Sequence, residues 1–304
     1  MGKRNKRLTI IFFSLLVINL GFLLVSGSSS SLSFREDLFV VSDTSQISSI
    51  RFSREQSDIL IERHPEGWIL NDKFHADDRL RNLFLSIMQR VQVKKPVVVE
   101  KPEDAAEVSV ITGEPLTFEV WGNPTRTRTF FSLTGREEAY EVIIPGYSDY
   151  LGQIFELNPD QWRDRLIFDG SWRTIQELSL DYLTSDVNDF TIRFDENFFV
   201  VAGVSALDSS AVVEYLNQFQ YYEANEWISE GRFPKYDSLA KKPPLATLRI
   251  EAINREDPVT FDIYPNLENQ PYNLVADQHQ NLLIIDNRRV KNILKTPSDF
   301  AAKD

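Results

Sequence analysis

Histidine is the side chain best suited to act as a general base or a neutral metal ligand near neutral pH, and this chain has three of them. None of His64, His75 and His279 has a second histidine at helical or strand spacing, and no H-E-x-x-H arrangement occurs. Each of the three lies in or beside a predicted turn. The sequence therefore predicts solvated turn residues rather than a catalytic or metal-binding set.

Carboxylates are numerous, with 45 Asp and Glu residues, so adjacent pairs are expected by chance. Asp77-Asp78 is explained by capping of the helix that follows. Asp186, Asp189 and Asp195 lack the glycine and the regular spacing of a calcium loop. The chain has no cysteine and no glycine-rich phosphate loop. We therefore expect no catalytic residues, no metal site, no cofactor and no enzymatic activity, with a hydrolase acting through unrecognised carboxylates as an open alternative.

One cluster of aromatic and basic residues follows Trp121. Residues 125–129 alternate Thr and Arg, and this strand-like pattern predicts that Arg126 and Arg128 share one face. Trp and Arg are the residue types that most often dominate protein interfaces. The sequence is compatible with a solvated edge strand or with a partner or anion contact, and it makes Trp121, Arg126 and Arg128 the candidate partner-binding residues.

A second cluster consists of Trp162, Arg163, Asp164 and Arg165. It lies near the middle of the chain, just before the boundary between two predicted lobes that are described below. We expect a structural corner here, in which the arginines and the aspartate fix the angle between the two lobes. A role in ligand binding is the alternative.

The N-terminus predicts a membrane anchor. Residues 1–7 form a basic tail, and an uncharged apolar run begins at Leu8 and ends at Val25. Eighteen helical residues span about 27 Å, enough to cross the hydrocarbon core of a bilayer. The basic tail favours the cytoplasmic side, which places the rest of the chain on the other side of that membrane. A cleaved signal peptide, with small residues at Ser26 and Gly27, is the alternative.

Charge excludes one class of partner. Without its four basic N-terminal residues, Lys3, Arg4, Lys6 and Arg7, the formal net charge of −12 becomes −16. Such a chain is repelled by nucleic acid, so we expect no nucleic-acid partner. Residues 26–46 are predicted to be a spacer that begins with a Ser/Gly-rich stretch, and residues 34–41 fit either a strand or a helix.

The chain repeats one pattern of apolar residues. A predicted strand, hairpin, third strand and amphipathic helix occur twice, with Asp77 and Ser209 as the expected helix N-caps. The first strand has the same spacing in both copies, at Ile47, Ile50 and Phe52 and again at Ile175, Leu178 and Leu180. One continuous apolar stripe is expected on the first helix, at Leu80, Leu83, Phe84, Ile87, Met88 and Val91.

These patterns predict an α+β fold in which the N-terminal transmembrane helix is followed by two tandem, structurally repeated lobes. The lobes are expected at residues 47–168 and 169–304. Each is predicted to be a mostly antiparallel sheet with one long amphipathic helix and a short terminal helix.

Several segments resemble family 4340 of the domains of unknown function. The family pattern is a basic stretch, a membrane span, alternating strands, a W-x-L strand and a helix. Matching segments are residues 47–52, the strand Gly67-Trp68-Ile69-Leu70 and the helix that ends at Arg90, while residues 162–165 resemble the arginine–aspartate segment that ends the family's first half. The resemblance implies a membrane-anchored bacterial envelope protein, which places the predicted anchor in the inner membrane and the rest of the chain in the periplasm. Some relatives accompany ABC-type export or gliding-associated transport proteins. It supplies no catalytic residues.

Taken together, these observations favour a non-enzymatic, membrane-anchored, extracytoplasmic scaffold or accessory subunit of a bacterial envelope complex. The resemblance adds an ABC transporter as the partner. A module that binds a solute or an envelope polymer in the cleft between the lobes is the alternative.

Overall fold

The structure, a computed structural model, describes residues 35–55, 57–183 and 187–302. This part of the chain is mainly antiparallel β with several short helices, and it contains two large sheets of nine and eight strands. It is richer in β structure than the expected α+β class. No helix within these residues is long and apolar enough to cross a membrane. The predicted basic tail and membrane span, residues 1–7 and 8–25, lie outside the described residues.

The nine-stranded sheet is built from the first half of the chain. Its strands are β1 (Ser49–Arg54), β2 (Ser57–His64), β3 (Gly67–Leu70), β4 (Phe74–His75), β5 (Gln92–Val97), β6 (Ala106–Ile111), β7 (Pro115–Gly122), β8 (Thr129–Leu133) and β9 (Ala139–Ile143). Their order is β4-β3-β2-β1-β6-β7-β8-β9-β5, and each neighbouring pair is antiparallel. Pro65 and Glu66 form the turn of the predicted hairpin between β2 and β3, and Gly67 follows with a positive φ.

Helix α1, Asp78–Arg90, covers one face of this sheet. Its N-cap is Asp77, as predicted, because this side chain accepts the backbone N–H of Arg79 and of Leu80. Phe84 lies edge-on to Phe52 of β1, with 5.4 Å between the ring centroids. The apolar side of the helix therefore forms a core with the inward-facing side chains of the strands.

The segment before β1 packs against the first core. Phe39 is fully buried among the aromatic rings of the first core, and Val41 donates its backbone N–H to the carbonyl of Met88 at 2.9 Å. Residues 36–39 form a turn, which is neither of the expected alternatives of strand and helix. Phe39 and Val41, which fall in the predicted spacer of residues 26–46, therefore pack on the first core.

The eight-stranded sheet is built from the second half. Its strands are β11 (Ile175–Tyr182), β12 (Phe190–Asp195), β13 (Phe198–Val201), β15 (Glu226–Ile228), β16 (Ala246–Ala252), β17 (Val259–Ile263), β18 (Tyr272–Asp277) and β19 (Leu282–Asp286). Their order is β13-β12-β11-β16-β17-β18-β19-β15. When β4 is set aside, the first sheet has the same order of corresponding strands.

The remaining strands, β10 (Leu166–Phe168) and β14 (Tyr222–Glu223), pair with each other in a two-stranded ribbon. Phe168 is buried in the core of the second sheet. β10, which precedes the predicted boundary after residue 168, therefore packs with the second half. We define the first half as residues 35–165 and the second half as residues 166–302.

Four further α-helices of the described residues are short: α2 (Pro159–Trp162), α3 (Ser209–Asn217), α4 (Pro234–Ala240) and α5 (Asn287–Ile293). Three 3₁₀ helices accompany them, at Thr44–Gln46, Leu151–Glu156 and Pro297–Phe300. Helix α3 covers the second sheet as α1 covers the first, through Val212, Tyr215 and Leu216. Its N-cap is Asp208 rather than the predicted Ser209, because the Asp208 carboxylate accepts the N–H groups of Ser210 and Ala211.

Candidate functional site

The segment that leaves the first half is fixed by α2. The side chain of Asn158 accepts the Gln161 N–H at 3.1 Å, and the Gln161 side chain accepts the Asn158 N–H at 3.0 Å. This reciprocal cap holds Trp162 at the end of the helix. Trp162 is fully buried and stacks on Phe52, with 5.2 Å between the ring centroids. The first residue of the predicted corner is thus a core residue of the first half.

The residues after Trp162 bond to both halves. Asp164 donates its N–H to the carbonyl of His75 at 2.8 Å, and its own carbonyl accepts the indole N–H of Trp227 at 2.7 Å. The carbonyl of Arg165 accepts the N–H of Ala224 at 2.7 Å. His75 belongs to the first sheet, while Trp227 and Ala224 belong to the second half. The chain is therefore hydrogen-bonded on both sides as it passes between the sheets.

Arg163 lies between two aromatic rings at this joint. Its Cζ atom is 3.6 Å from the ring centroid of Phe74 and 3.3 Å from that of Trp227. Only 13% of the side chain is exposed. Burial lowers the pKa of Arg163 to about 10. The negative charges of Asp277 and Asp160 act in the opposite direction and raise this pKa. The guanidinium is still charged at neutral pH and is held flat by the two rings.

Asp277 compensates only weakly for the burial of the Arg163 charge, because it makes no hydrogen bond with the guanidinium. Its Oδ2 atom is 3.9 Å from Arg163 Nη2, which is too far for a hydrogen bond. The same carboxylate accepts the N–H of His279 at 2.9 Å, the N–H of Asn281 at 2.8 Å and the side-chain amide of Asn281 at 2.8 Å. Asp277 therefore mainly organises the turn between β18 and β19.

A cavity of about 320 Å³ opens on one side of Arg163. We call it the basic cleft, because Lys73, Arg163 and Arg255 line it together with His75 and His279. Among the described residues, neither Lys73 nor Arg255 has a carboxylate in ion-pair contact; each lies over an aromatic ring instead. The apolar part of the wall includes Ile167, Val259 and Phe261.

A second cavity, of about 500 Å³, also has Arg163 in its lining. Here Asp160 of α2 reaches across to the second half. It accepts the hydroxyl of Ser229 at 2.6 Å and the N–H of Ser229 at 2.9 Å, and it pairs with Arg232 at 3.3 Å. Asp160 thus ties the two halves together and is not free for acid–base work.

The predicted partner-binding residues do not form one exposed face. The expectation that Arg126 and Arg128 share a strand face is wrong, because residues 123–128 form a loop between β7 and β8. The Asn123 side chain organises this loop by accepting the N–H of Arg128 at 2.8 Å. Arg126 has a positive φ of 51° and pairs with Glu156 at 3.0 Å. Trp121 is buried on the opposite side of the sheet from α1.

An apolar groove of about 400 Å³ lies between α1 and the segment that follows β9. Leu83 and Tyr147 line it, and each is 49% exposed. The predicted stripe on α1 is therefore only partly a core face. Phe84, Ile87 and Met88 are buried, whereas Leu83 points away from the sheet toward solvent.

The histidines divide into two groups. His64 lies on the β2–β3 hairpin, where one donor atom from each of Glu62, His64 and Asp72 falls within 4.8 Å of the others. These groups could hold a cation, but His64 and Asp72 are exposed, and exposed groups of this kind often have no ligand function. His75 and His279 line the basic cleft, although they are far apart in sequence.

Sequence reasoning missed Lys73, Phe74, Trp227 and Arg255 as parts of one site. Lys73 and Phe74 are neighbours in the sequence, but Trp227 and Arg255 lie far from them and from each other, and no local spacing connects these three places. The one available signal was the pair of arginines after Trp162, which marks the joint but does not identify the residues that the joint brings together.

No known protein-family profile, no curated protein and no solved structure matches the chain. The resemblance to family 4340 therefore stays an expectation.

Proposed function

We propose that the chain is a non-enzymatic scaffold or accessory subunit of a bacterial envelope complex. In this proposal residues 8–25 anchor it in the inner membrane, and the rest of the chain is extracytoplasmic. The basic-then-apolar N-terminus supports the placement. The resemblance to family 4340 supports an envelope protein, in particular an ABC transporter, as the partner.

The joint between the halves is the observation that carries the scaffold role. Hydrogen bonds cross it from Trp227 to Asp164, from Ala224 to Arg165 and from Ser229 to Asp160. Proteins that close over a solute absorb the motion in a hinge of a few residues. Here the connecting segment is bonded to both halves, so closure would have to break these bonds. A fixed joint keeps the outer surfaces of the two halves in one relative orientation, which is what a scaffold requires.

We also infer that the two halves are tandem copies of one unit. Asp77 donates its N–H to the carbonyl of Trp162 at 2.8 Å, and Asp208 donates its N–H to the carbonyl of Phe300 at 2.8 Å. In both halves the donor is the N-cap of the covering helix, and the acceptor is the aromatic residue that ends a short, proline-started helix. Together with the shared strand order, this repeated long-range bond supports duplication.

Superposing the Cα atoms of residues 47–91 on those of residues 175–223 tests the duplication. The expected result places the covering helix on the same face of both sheets. A superposition with the helices on opposite faces would overturn the inference.

Cross-linking in native membranes, followed by affinity purification of the tagged chain, tests the scaffold role. We expect stoichiometric recovery with a transporter or another envelope protein. Photo-cross-linking residues at Leu83 in the first half and Val200 in the second, both exposed, report which half touches the partner. Recovery of the chain alone, with a small ligand retained in native mass spectrometry, would overturn the scaffold role.

Protease treatment of spheroplasts tests the placement. The part of the chain after residue 26 should be digested, and its protection would contradict an extracytoplasmic location. Mass spectrometry of the mature N-terminus distinguishes a retained anchor from a cleaved signal peptide.

A further inference from the structure

We propose that the basic cleft binds a small organic anion, in which a carboxylate or phosphate group is attached to an apolar body. Arg163 is the central donor, and Lys73 and Arg255 supply the neighbouring positive charge. This inference goes beyond the scaffold role, and it depends only on the geometry of the cleft.

The hydrogen-bonding capacity of Arg163 is unused. Its guanidinium has five N–H donors in one plane, and the rings of Phe74 and Trp227 lie over that plane. The edge of the plane therefore stays available, yet the guanidinium donates no hydrogen bond to any residue in the described part of the chain. A buried cation without a hydrogen-bonded partner is costly, and a bound anion would remove that cost.

The charge of the cleft is unusual for this chain. The formal net charge is −12, yet three cations converge on one cavity. Two carboxylates, Asp277 and Asp164, also line the cavity, so its three cations exceed its carboxylates by one charge. Both carboxylates accept N–H groups of their own turns, and neither accepts a hydrogen bond from Arg163. Positive charge in a concave site focuses the local potential and attracts anions.

The cavity also has room and apolar surface for an organic group attached to the anion. Its volume of about 320 Å³ lies at the lower end of the range for small-molecule sites. Ile167, Val259 and Phe261 form part of the wall, so an apolar group on the ligand would cover surface that an ion alone would leave hydrated. The fixed joint makes the site preformed, and binding needs no closure of the halves.

Fluorine NMR of the full chain, labelled with 5-fluorotryptophan in a neutral detergent, tests the proposal. The chain has five tryptophans, and Trp227→Phe identifies the signal at the cleft. The probes are phenyl phosphate and benzoate, with benzamide as the neutral analogue and inorganic phosphate as the anion without an apolar body. The Trp227 signal should shift saturably with phenyl phosphate, benzoate or both. Benzamide and inorganic phosphate should each bind at least about tenfold more weakly.

Matched variants locate the binding. Lys73→Ala and Arg255→Ala, which leave the Arg163 stack in place, should each weaken binding about tenfold or more. Arg136→Ala removes an exposed arginine outside the cleft and should leave the affinity unchanged.

A Trp227 signal that shows no saturable shift, or a shift that survives both cleft substitutions, would overturn the proposal. Equal affinity for inorganic phosphate and phenyl phosphate would overturn the requirement for an apolar body. If the chain were purified from membranes without a partner, the scaffold role would fail, but the anion-binding result would still stand. The two proposals can therefore fail independently of each other.

Discussion

The Cζ atom of Arg163 lies 3.3 Å from the ring centroid of Trp227, and this contact joins the two halves of the chain. Arg163 follows the last helix of the first half, whereas Trp227 lies in β15 of the second sheet. Phe74 of the first sheet covers the opposite face of the guanidinium. The planar cation is thus held between one ring from each sheet.

Substitution of Arg163 tests what this stack contributes to stability. Arg163→Lys keeps the charge but loses the flat group, and it should lower the free energy of unfolding by about 1–2 kcal/mol. Arg163→Met keeps much of the volume and removes the buried charge, so it should destabilise less than Arg163→Lys. Urea denaturation followed by circular dichroism measures both. Arg173, which lies over Trp172 at the surface, is the matched control, and Arg173→Lys should change stability by less than about 0.5 kcal/mol. An Arg163→Lys variant as stable as the wild type would contradict the prediction.

The two helix caps form a matched pair for a second test. Asp208→Ala should cost about 1 kcal/mol, a typical value for loss of an N-cap. Asp77→Ala should cost about 2 kcal/mol or more, because Asp77 is buried and also accepts a hydrogen bond from the Arg79 guanidinium at 3.0 Å. Equal losses in urea denaturation would show that burial of Asp77 adds nothing.

Asp77 also predicts a dependence on pH. Burial raises the pKa of its carboxyl, but hydrogen bonds from Arg79 and the N–H of Leu80 outweigh burial, so the pKa lies below the ordinary value of 3.8. The unfolded chain therefore binds a proton at higher pH than the folded protein does. The stabilisation is complete above the ordinary value and is lost as the pH falls through the lower folded pKa. Consequently, the advantage of the wild type over Asp77→Asn should shrink between pH 7 and pH values below about 4, as measured by urea denaturation. A difference that does not change with pH would contradict this assignment.

Leu83 and Leu216 test the difference between a groove and a core. Leu216→Asp should prevent the second half from folding, because it places an unpaired carboxylate at a fully buried position. Leu83→Asp should change the free energy of unfolding by less than about 1 kcal/mol, since Leu83 is half exposed. Thermal unfolding of the two variants decides the point, and a collapse of the first half in Leu83→Asp would show that the groove is closed in solution.

Much of the fold could be predicted because the local signals agree with the tertiary structure. The alternation at Ile50 and Phe52 gives β1, the Gly67 turn gives the hairpin, and Asp77 begins α1. Leu83 shows the limit of periodicity. Helical spacing places Leu83 on the predicted apolar stripe, yet its side chain is half exposed. Whether this side chain is covered depends on the segment that contains Tyr147, more than 60 residues later in the chain.

The candidate site was harder to predict, for two physical reasons. Residues 125–129 alternate like a strand, but the side chain of Asn123 competes for the backbone N–H groups and produces a turn. The basic cleft has no local signature at all. Lys73 and Arg255 meet only because two sheets are joined at a fixed angle, and no spacing within either half encodes that angle.

The long-range hydrogen bonds to Trp162 and Phe300 also set the order in which the two halves can complete their folding. The N–H of Asp77, the N-cap of α1, finds its acceptor once Trp162 has been synthesised. The N–H of Asp208, the N-cap of α3, must wait for Phe300. The first half can therefore fold as the nascent chain emerges, while the second half stays incomplete until Phe300 has also emerged. A premature stop codon or C-terminal trimming by a peptidase before residue 300 would leave the first core whole and open the second.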